Sequence, residues 1–290
     1  MRLLRVGTSG QEKPAMLDHY GRARDLSGVI GDLAGDTLLP ESLQGLGRID
    51  PDTLPELEDG LRIGPCVGQV GKFICIGLNY ADHAAETGQA VPEEPVIFNK
   101  WTSAISGPND PIIRPRNSTK LDWEVELGIV IGEPARYVQR ANALDHVAGY
   151  CLVNDVSERS FQLERGGQWD KGKGCDSFGP IGPWLVTADE VNDINSMGIW
   201  LEVNGKRYQD GNTRTMIFKV DEIVSYVSQF MTLHPGDIIS TGTPPGVGLG
   251  QVPPVYLTPG DSVRLGIDGL GEQQQIVIDE ESRAPARLCG

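Results

Sequence analysis

Trp123-Glu124-Val125-Glu126-Leu127-Gly128-Ile129-Val130-Ile131 alternates with a period of two, and that period decides how the chain folds. Side chains of a β-strand point to opposite faces in turn. Trp123, Val125, Leu127, Ile129 and Ile131 therefore share one face, and Glu124, Glu126, Gly128 and Val130 the other. A strand with one wet face reads this way, because antiparallel sheets commonly leave one side to solvent. Val130, however, continues the glutamate face with an apolar side chain. Two neighbouring carboxylates that are buried also need a cation or a raised pKa. A third acid, Asp155, follows the apolar run Val147–Val153, where a strand opens into a loop. Three carboxylates without histidine or thiolate suit Mg²⁺ or Mn²⁺, with waters or substrate completing the octahedron. The spacing alone leaves both readings open, wet strand or metal site.

Outward from this stretch, apolar runs at Phe73–Ile76 and Ala148–Val153 read as strands. Trp200–Val203 leads through the hairpin signal Asn204-Gly205 towards Tyr208. Asp237–Ser240 and Ser262–Ile267 each follow a Pro-Gly-Asp turn. Apolar residues at 220, 223, 224, 227, 230 and 231 predict a helix over Val220–Met231. A shorter helix is predicted over Asn79–Glu86, with Asn79 as N-cap and Asp82 in the first turn. Strands outnumber helices and do not alternate with them, so the class is α+β and mainly β, not a doubly wound sheet. Leu3–Val6 and Ala15–Leu17 read as a hairpin inside a small β-rich unit over residues 1–65. Pro-, Asp- and Gly-rich sequence joins it to a larger unit over 66–290. The tail after Glu280 has no pattern and is expected to be mobile.

Apolar residues make up 39% of the 290 and charged residues 22%, which suits a soluble domain with a real core. The net charge of −15 argues against a nucleic-acid groove or an anionic membrane surface, both of which need clustered Lys and Arg. The five cysteines are odd in number and show no C-x-x-C spacing, so free thiols in a reducing cytoplasm are expected. The start lacks the apolar run of a signal peptide. Nothing approaches the roughly 18 consecutive apolar residues of a membrane span.

Gly167–Gly174 nearly copies a phosphate-binding loop. It ends in Gly where Ser or Thr is required, no apolar strand precedes it, and Pro180 and Pro183 oppose a following helix. Thr241-Gly242-Thr243-Pro244-Pro245-Gly246-Val247-Gly248 follows a strand and is either an oxyanion cradle or a turn. His83 and Glu86 are three apart, so on a helix the carboxylate can orient the imidazole as a general base; an ordinary exposed pair has the same spacing.

Taken in order, these blocks resemble the fumarylacetoacetate hydrolase family from about Lys72 to Ile278. They are Gly77 to Glu86, Asp122 to Gly128, Asn154 to Arg159, Gly172-Lys173, Phe178 to Trp184 and Thr241 to Gly248. The resemblance implies a mixed β-sandwich roll, usually dimeric, with a smaller N-terminal unit. It implies that Glu124, Glu126 and Asp155 hold Mg²⁺ or Mn²⁺. It implies that His83 and Glu86 activate water on a segment that closes as a lid in relatives, and that Lys173 and Thr243 contact substrate oxygens. In such an enzyme a small 2,4-dioxo acid chelates the metal, hydroxide made by His83 attacks the distal carbonyl, and the C3–C4 bond breaks to leave a pyruvate enolate.

Two departures bear on the substrate. Many relatives have arginine at the position of Leu78, and Ser-Phe where Gly174-Cys175 stand. The stretch from Gln162 to Gly179 is similar to the branch that hydrolyses 2,4-diketo-3-deoxy-L-fuconate or L-rhamnonate to pyruvate and lactate. Within 159–178, Arg159, Gln162, Gln168 and Asp170 offer groups suited to a hydroxylated tail. Rival readings are an acylpyruvase or fumarylpyruvate hydrolase, an oxaloacetate decarboxylase, an isomerase of unsaturated dioxo acids, and a ligand-binding protein without activity.

Overall fold

The computed structural model describes residues 1–82 and 91–282. Its mainly β architecture follows from the runs above, which build two main sheets; two short two-stranded pairings lie beside them. The larger has nine strands, ordered Ala23–Asp25, Lys13–Leu17, Arg2–Val6, Leu185–Thr187, Val147–Asn154, Val125–Ile131, Ile238–Ser240, Phe73–Gly77 and Val96–Lys100. All its pairings are antiparallel except that of Ile238–Ser240 with Phe73–Gly77. The smaller sheet runs Lys206–Asn212, Gly198–Val203, Ser262–Ile267, Gly271–Asp279 and Ile112–Arg114. Asn204 (φ 52°) and Gly205 (φ 77°) make the tight turn expected of their hairpin.

Both faces of Val125–Ile131 are covered. Val125, Leu127, Ile129 and Ile131 pack towards the smaller sheet, in one core with Leu201 and Leu265. Val130 lies in a second core with Leu33, Leu38 and Ile238. The glutamate face is thus not a wet one; each fully buried aliphatic side chain contributes about 1.5–3 kcal/mol relative to exposure. The N-terminal strands extend this sheet through the pairing of Leu3 with Leu185, and Leu3 and Met16 share the second core.

Two helical expectations are corrected. The helix that was to reach Met231 spans Val220–Val227. Ser228 caps it and turns its hydroxyl back onto the Ser225 carbonyl at 2.7 Å, after which the chain continues in turns. Asn79 does not act as an N-cap. It is wholly buried, donates to the carbonyls of Phe218 (3.0 Å) and Thr241 (2.7 Å), and accepts from the Phe218 N–H at 2.7 Å. Backbone groups of two buried loops lack strand partners there, and one amide satisfies three of them. His83 and Glu86, with the rest of that predicted helix from residue 83 on, lie outside the described residues, as does the tail from 283.

Candidate active site

Antiparallel pairing brings the acids together. Val125 stands opposite Asn154, so Glu124, just before one strand, meets Asp155, just after the other; the Asp155 N–H donates to the Glu124 carbonyl at 2.8 Å. Glu126, two residues along, lies on the same side. Oxygen atoms of Glu124, Glu126 and Asp155 all fall within 4.8 Å of one another, and all three side chains are buried.

Their partners differ. Glu124 accepts from Arg159 Nη2 at 2.6 Å and Lys173 Nζ at 2.5 Å. Asp155 accepts from Lys173 Nζ at 2.8 Å and Lys100 Nζ at 2.5 Å. Glu126 accepts from the Ser240 hydroxyl at 2.5 Å and the Gly242 N–H at 2.9 Å, and no ion pair reaches it among the described residues. Burial opposes ionisation of every acid here. At Glu124 the neighbouring Arg159 and Lys173 overcome it and hold the carboxyl well below its ordinary range. At Glu126 burial and the negative charges of Asp155 and Glu124 act together, and the carboxyl is pushed well above that range. Asp122, also buried, accepts from Arg159 Nε at 2.8 Å. The cluster therefore holds four carboxylates against the cations Arg159, Lys173 and Lys100, with the deficit at Glu126. Hard oxygen donors, clustered and short of positive charge, fit Mg²⁺ or Mn²⁺.

Arg159 and Gln162 stand on the short helix Arg159–Leu163, and Lys173 ends the helix Asp170–Lys173. The two helices touch through Gly172, where a Cβ would lie 2.5 Å from the Glu158 carbonyl. The near copy of a phosphate loop thus serves to carry Lys173 to the acids. Arg159 is fully engaged, its third nitrogen donating to Gln162 Oε1 at 3.0 Å.

Thr243 donates to the Val125 carbonyl at 2.9 Å and accepts from Gln209 Nε2 at 2.7 Å, while Gln209 Oε1 accepts from the Val125 N–H at 3.0 Å. Gln209, from the smaller sheet, fixes the backbone between the two glutamates. No local pattern in the sequence marks it. Gly246 (φ 106°) closes this loop, and a Cβ there would lie 1.9 Å from the Tyr208 carbonyl. Gly246→Ala should therefore cost about 3 kcal/mol or more in urea denaturation, from strain and backbone clash combined. A loss below about 1 kcal/mol would mean that the loop moves aside freely.

Glu124 and Glu126 line a cleft with about 570 Å³ of free space, part of it open to solvent, and Asp155 lies wholly buried behind them. Glu124, Glu126, Arg159, Gln162, Lys173 and Thr243 give it a polar floor. Leu78, Phe98, Trp169 and Leu249 form an apolar wall, with Trp169 edge-on to Phe98 at 5.4 Å between ring centroids. Of the expected tail contacts, Gln168 does not line the cleft, and Asp170 accepts from the Asn99 N–H at 3.2 Å instead. The chain at Asp170 is needed to dock its helix on the edge strand. Among the described residues no helix is long and apolar enough to cross a membrane.

Comparison with known proteins agrees with this architecture. Residues 72–278 match the family described as fumarylacetoacetate (FAA) hydrolase C-terminal. A protein from Burkholderia multivorans, described only in general terms as a hydrolase, is 65% identical over 95% of this chain and 98% of its own. The solved fumarylacetoacetate hydrolase of psychrophilic Exiguobacterium antarcticum is 38% identical, covering 97% of this chain and 100% of that one, with a TM-score of 0.85. A maleylpyruvate hydrolase from Sphingobium sp. SYK-6, solved with manganese(II) and pyruvate, is 30% identical over 96% and 99% of the two chains, with a TM-score of 0.80. Isomerases as well as hydrolases occur among solved structures of this shape.

Proposed function

The chain belongs to the fumarylacetoacetate hydrolase family, and from that premise we propose that it hydrolyses the C3–C4 bond of a small 2,4-dioxo acid with Mg²⁺ or Mn²⁺ as cofactor. The observation that carries the reading is the trio Glu124, Glu126 and Asp155, clustered within 4.8 Å and short of positive charge at Glu126. These residues would hold the cation. When bound, it supplies Lewis-acid stabilisation of the enolate charge that develops as the bond breaks. Lys173 lines the cleft beside two of the acids and can donate to a substrate oxygen. Arg159 orients Glu124 and is itself held by Asp122. The apolar wall of Leu78, Phe98 and Trp169 excludes water from the side facing it. His83 and Glu86 are assigned as the pair that takes the proton from the attacking water.

The tail of the substrate follows from what the cleft leaves over. Of the described cations lining this cleft, Arg159 is held by two carboxylates and Lys173 stands at the metal-binding end between Glu124 and Asp155, so a second acid group on the tail finds no further cation there. Gln162 and Thr243 suit a hydroxyl, and the apolar wall suits a methyl group. Both occur on the short tail of a 2,4-diketo-3-deoxy-L-fuconate or L-rhamnonate, which would give pyruvate and lactate. In a pyruvate-release assay at matched concentrations, such an acid should exceed fumarylpyruvate, acetylpyruvate and oxaloacetate in kcat/KM by at least about tenfold; polar pockets discriminate strongly when an expected hydroxyl is absent. A win for fumarylpyruvate or oxaloacetate would refute the sugar-acid assignment and leave the metal assignment standing.

A further inference from the structure

Lys100 carries the inference. It ends the edge strand Val96–Lys100, and the period of two puts its side chain on the same face as Phe98, towards the acids. It is one of the largest fully buried side chains in the protein, 2% exposed, and unlike Lys173 it does not line the cleft. Its ammonium lies 2.5 Å from Asp155 Oδ1 and 3.0 Å from the Val156 carbonyl. Its stem runs past Gly179, where a Cβ would already stand 3.5 Å from Lys100 Cε. A lysine stem so enclosed has little freedom. Two ammonium groups thus grip the two oxygens of Asp155: Lys100 holds Oδ1 from within the protein, and Lys173 holds Oδ2 from the cleft side.

We propose that Lys100 is a positioning residue for the metal. It fixes the carboxylate plane of Asp155 and keeps Oδ1 occupied, so that Oδ2 faces Glu124 and Glu126. It also leaves Asp155 a permanent partner, which frees Lys173 to turn towards substrate without stranding a buried carboxylate. The inference rests on the metal reading above.

Positioning and simple electrostatics predict opposite signs. A bare positive charge beside a cation site weakens cation binding, so removing it should tighten the site. Loss of a group that orients a ligand weakens metal affinity, by about 10- to 100-fold in comparable cases. The measurement is a titration with Mn²⁺ alone, following free Mn²⁺ by electron paramagnetic resonance, on wild type, Lys100→Met and Lys100→Gln, with folding checked by circular dichroism. Lys100→Met is expected to raise the Mn²⁺ Kd at least about tenfold, and Lys100→Gln, which retains a donor, to lose less. Mn²⁺ binding as tight as wild type in either folded variant overturns the proposal, as does a Lys100→Gln no better than Lys100→Met. If Lys100→Met fails to fold, the Lys100→Gln Kd decides alone: weaker than wild type supports positioning, equal or tighter overturns it. A wild type that binds no Mn²⁺ overturns the metal reading itself, and this inference with it.

Discussion

Treatment with a chelator should abolish turnover completely, and Mg²⁺ or Mn²⁺ should restore it, with the protein folded throughout. The expectation of complete loss comes from the charge ledger of the cleft. Lys100, Lys173 and Arg159 match Glu124, Asp155 and Asp122, so no described side chain is left to stabilise an enolate at Glu126. Glu126→Gln keeps the volume and the bond from Gly242 but removes the charge. It should give a folded protein with Mn²⁺ affinity and activity both severely reduced. Full activity in metal-free buffer, or zinc held through cysteine, would refute the assignment.

The same charge deficit gives a pH dependence with a definite sign. The folded chain raises the Glu126 pKa above the value of 4.5 that an unfolded chain would show. The folded state therefore binds that proton more tightly, and stability falls as pH rises from the unfolded value through the folded one. A divalent cation relieves that penalty by neutralising the ionised form. The rise in melting temperature on adding Mn²⁺ should accordingly grow as pH is raised above the ordinary carboxylate range. An equal or smaller rise at the higher pH would contradict the assigned state of Glu126.

Much of this was legible in the sequence because its period is local. The alternation over Trp123–Ile131 placed both glutamates on one side, and Val130 on their face signalled that this side is covered; it is buried in the second core. Asn204-Gly205 marked its hairpin for the same reason, since only residues that tolerate positive φ make that turn. What stayed hidden is pairing between distant residues. Lys100 and Asp155 are 55 positions apart, and Gln209 reaches Val125 across 84. A lysine that ends an apolar strand is the one trace the sequence offers of the first, and an exposed strand end leaves the same trace. Asn79 misled because Asn before a helical pattern is a common cap, and the competing demand came from backbone at 218 and 241. Asp170 likewise offers a carboxylate beside the cleft in sequence but spends it on the backbone of Asn99.

His83→Ala should lower kcat for hydrolysis by about 10²–10⁴, the range expected on losing a general base. The reasoning is chemical. Water is a poor nucleophile at neutral pH, and every acid of the described cluster is committed to cations or to hydrogen-bond donors. The proton must therefore go to a base from elsewhere, and the proposed pair of His83 with Glu86 three residues on would supply one. Glu86→Gln should cost less than His83→Ala, because in the proposed pair Glu86 would only orient the imidazole and hold its charge. Decarboxylation of oxaloacetate needs the enolate to be stabilised but needs no water to be activated, so any such side activity should survive His83→Ala nearly intact. The ratio of the two activities across wild type and both variants is thus the informative measurement, since a misfolded or metal-poor variant loses both together. Equal losses in hydrolysis and decarboxylation, with Mn²⁺ affinity unchanged, would mean that His83 positions substrate and that the base lies elsewhere.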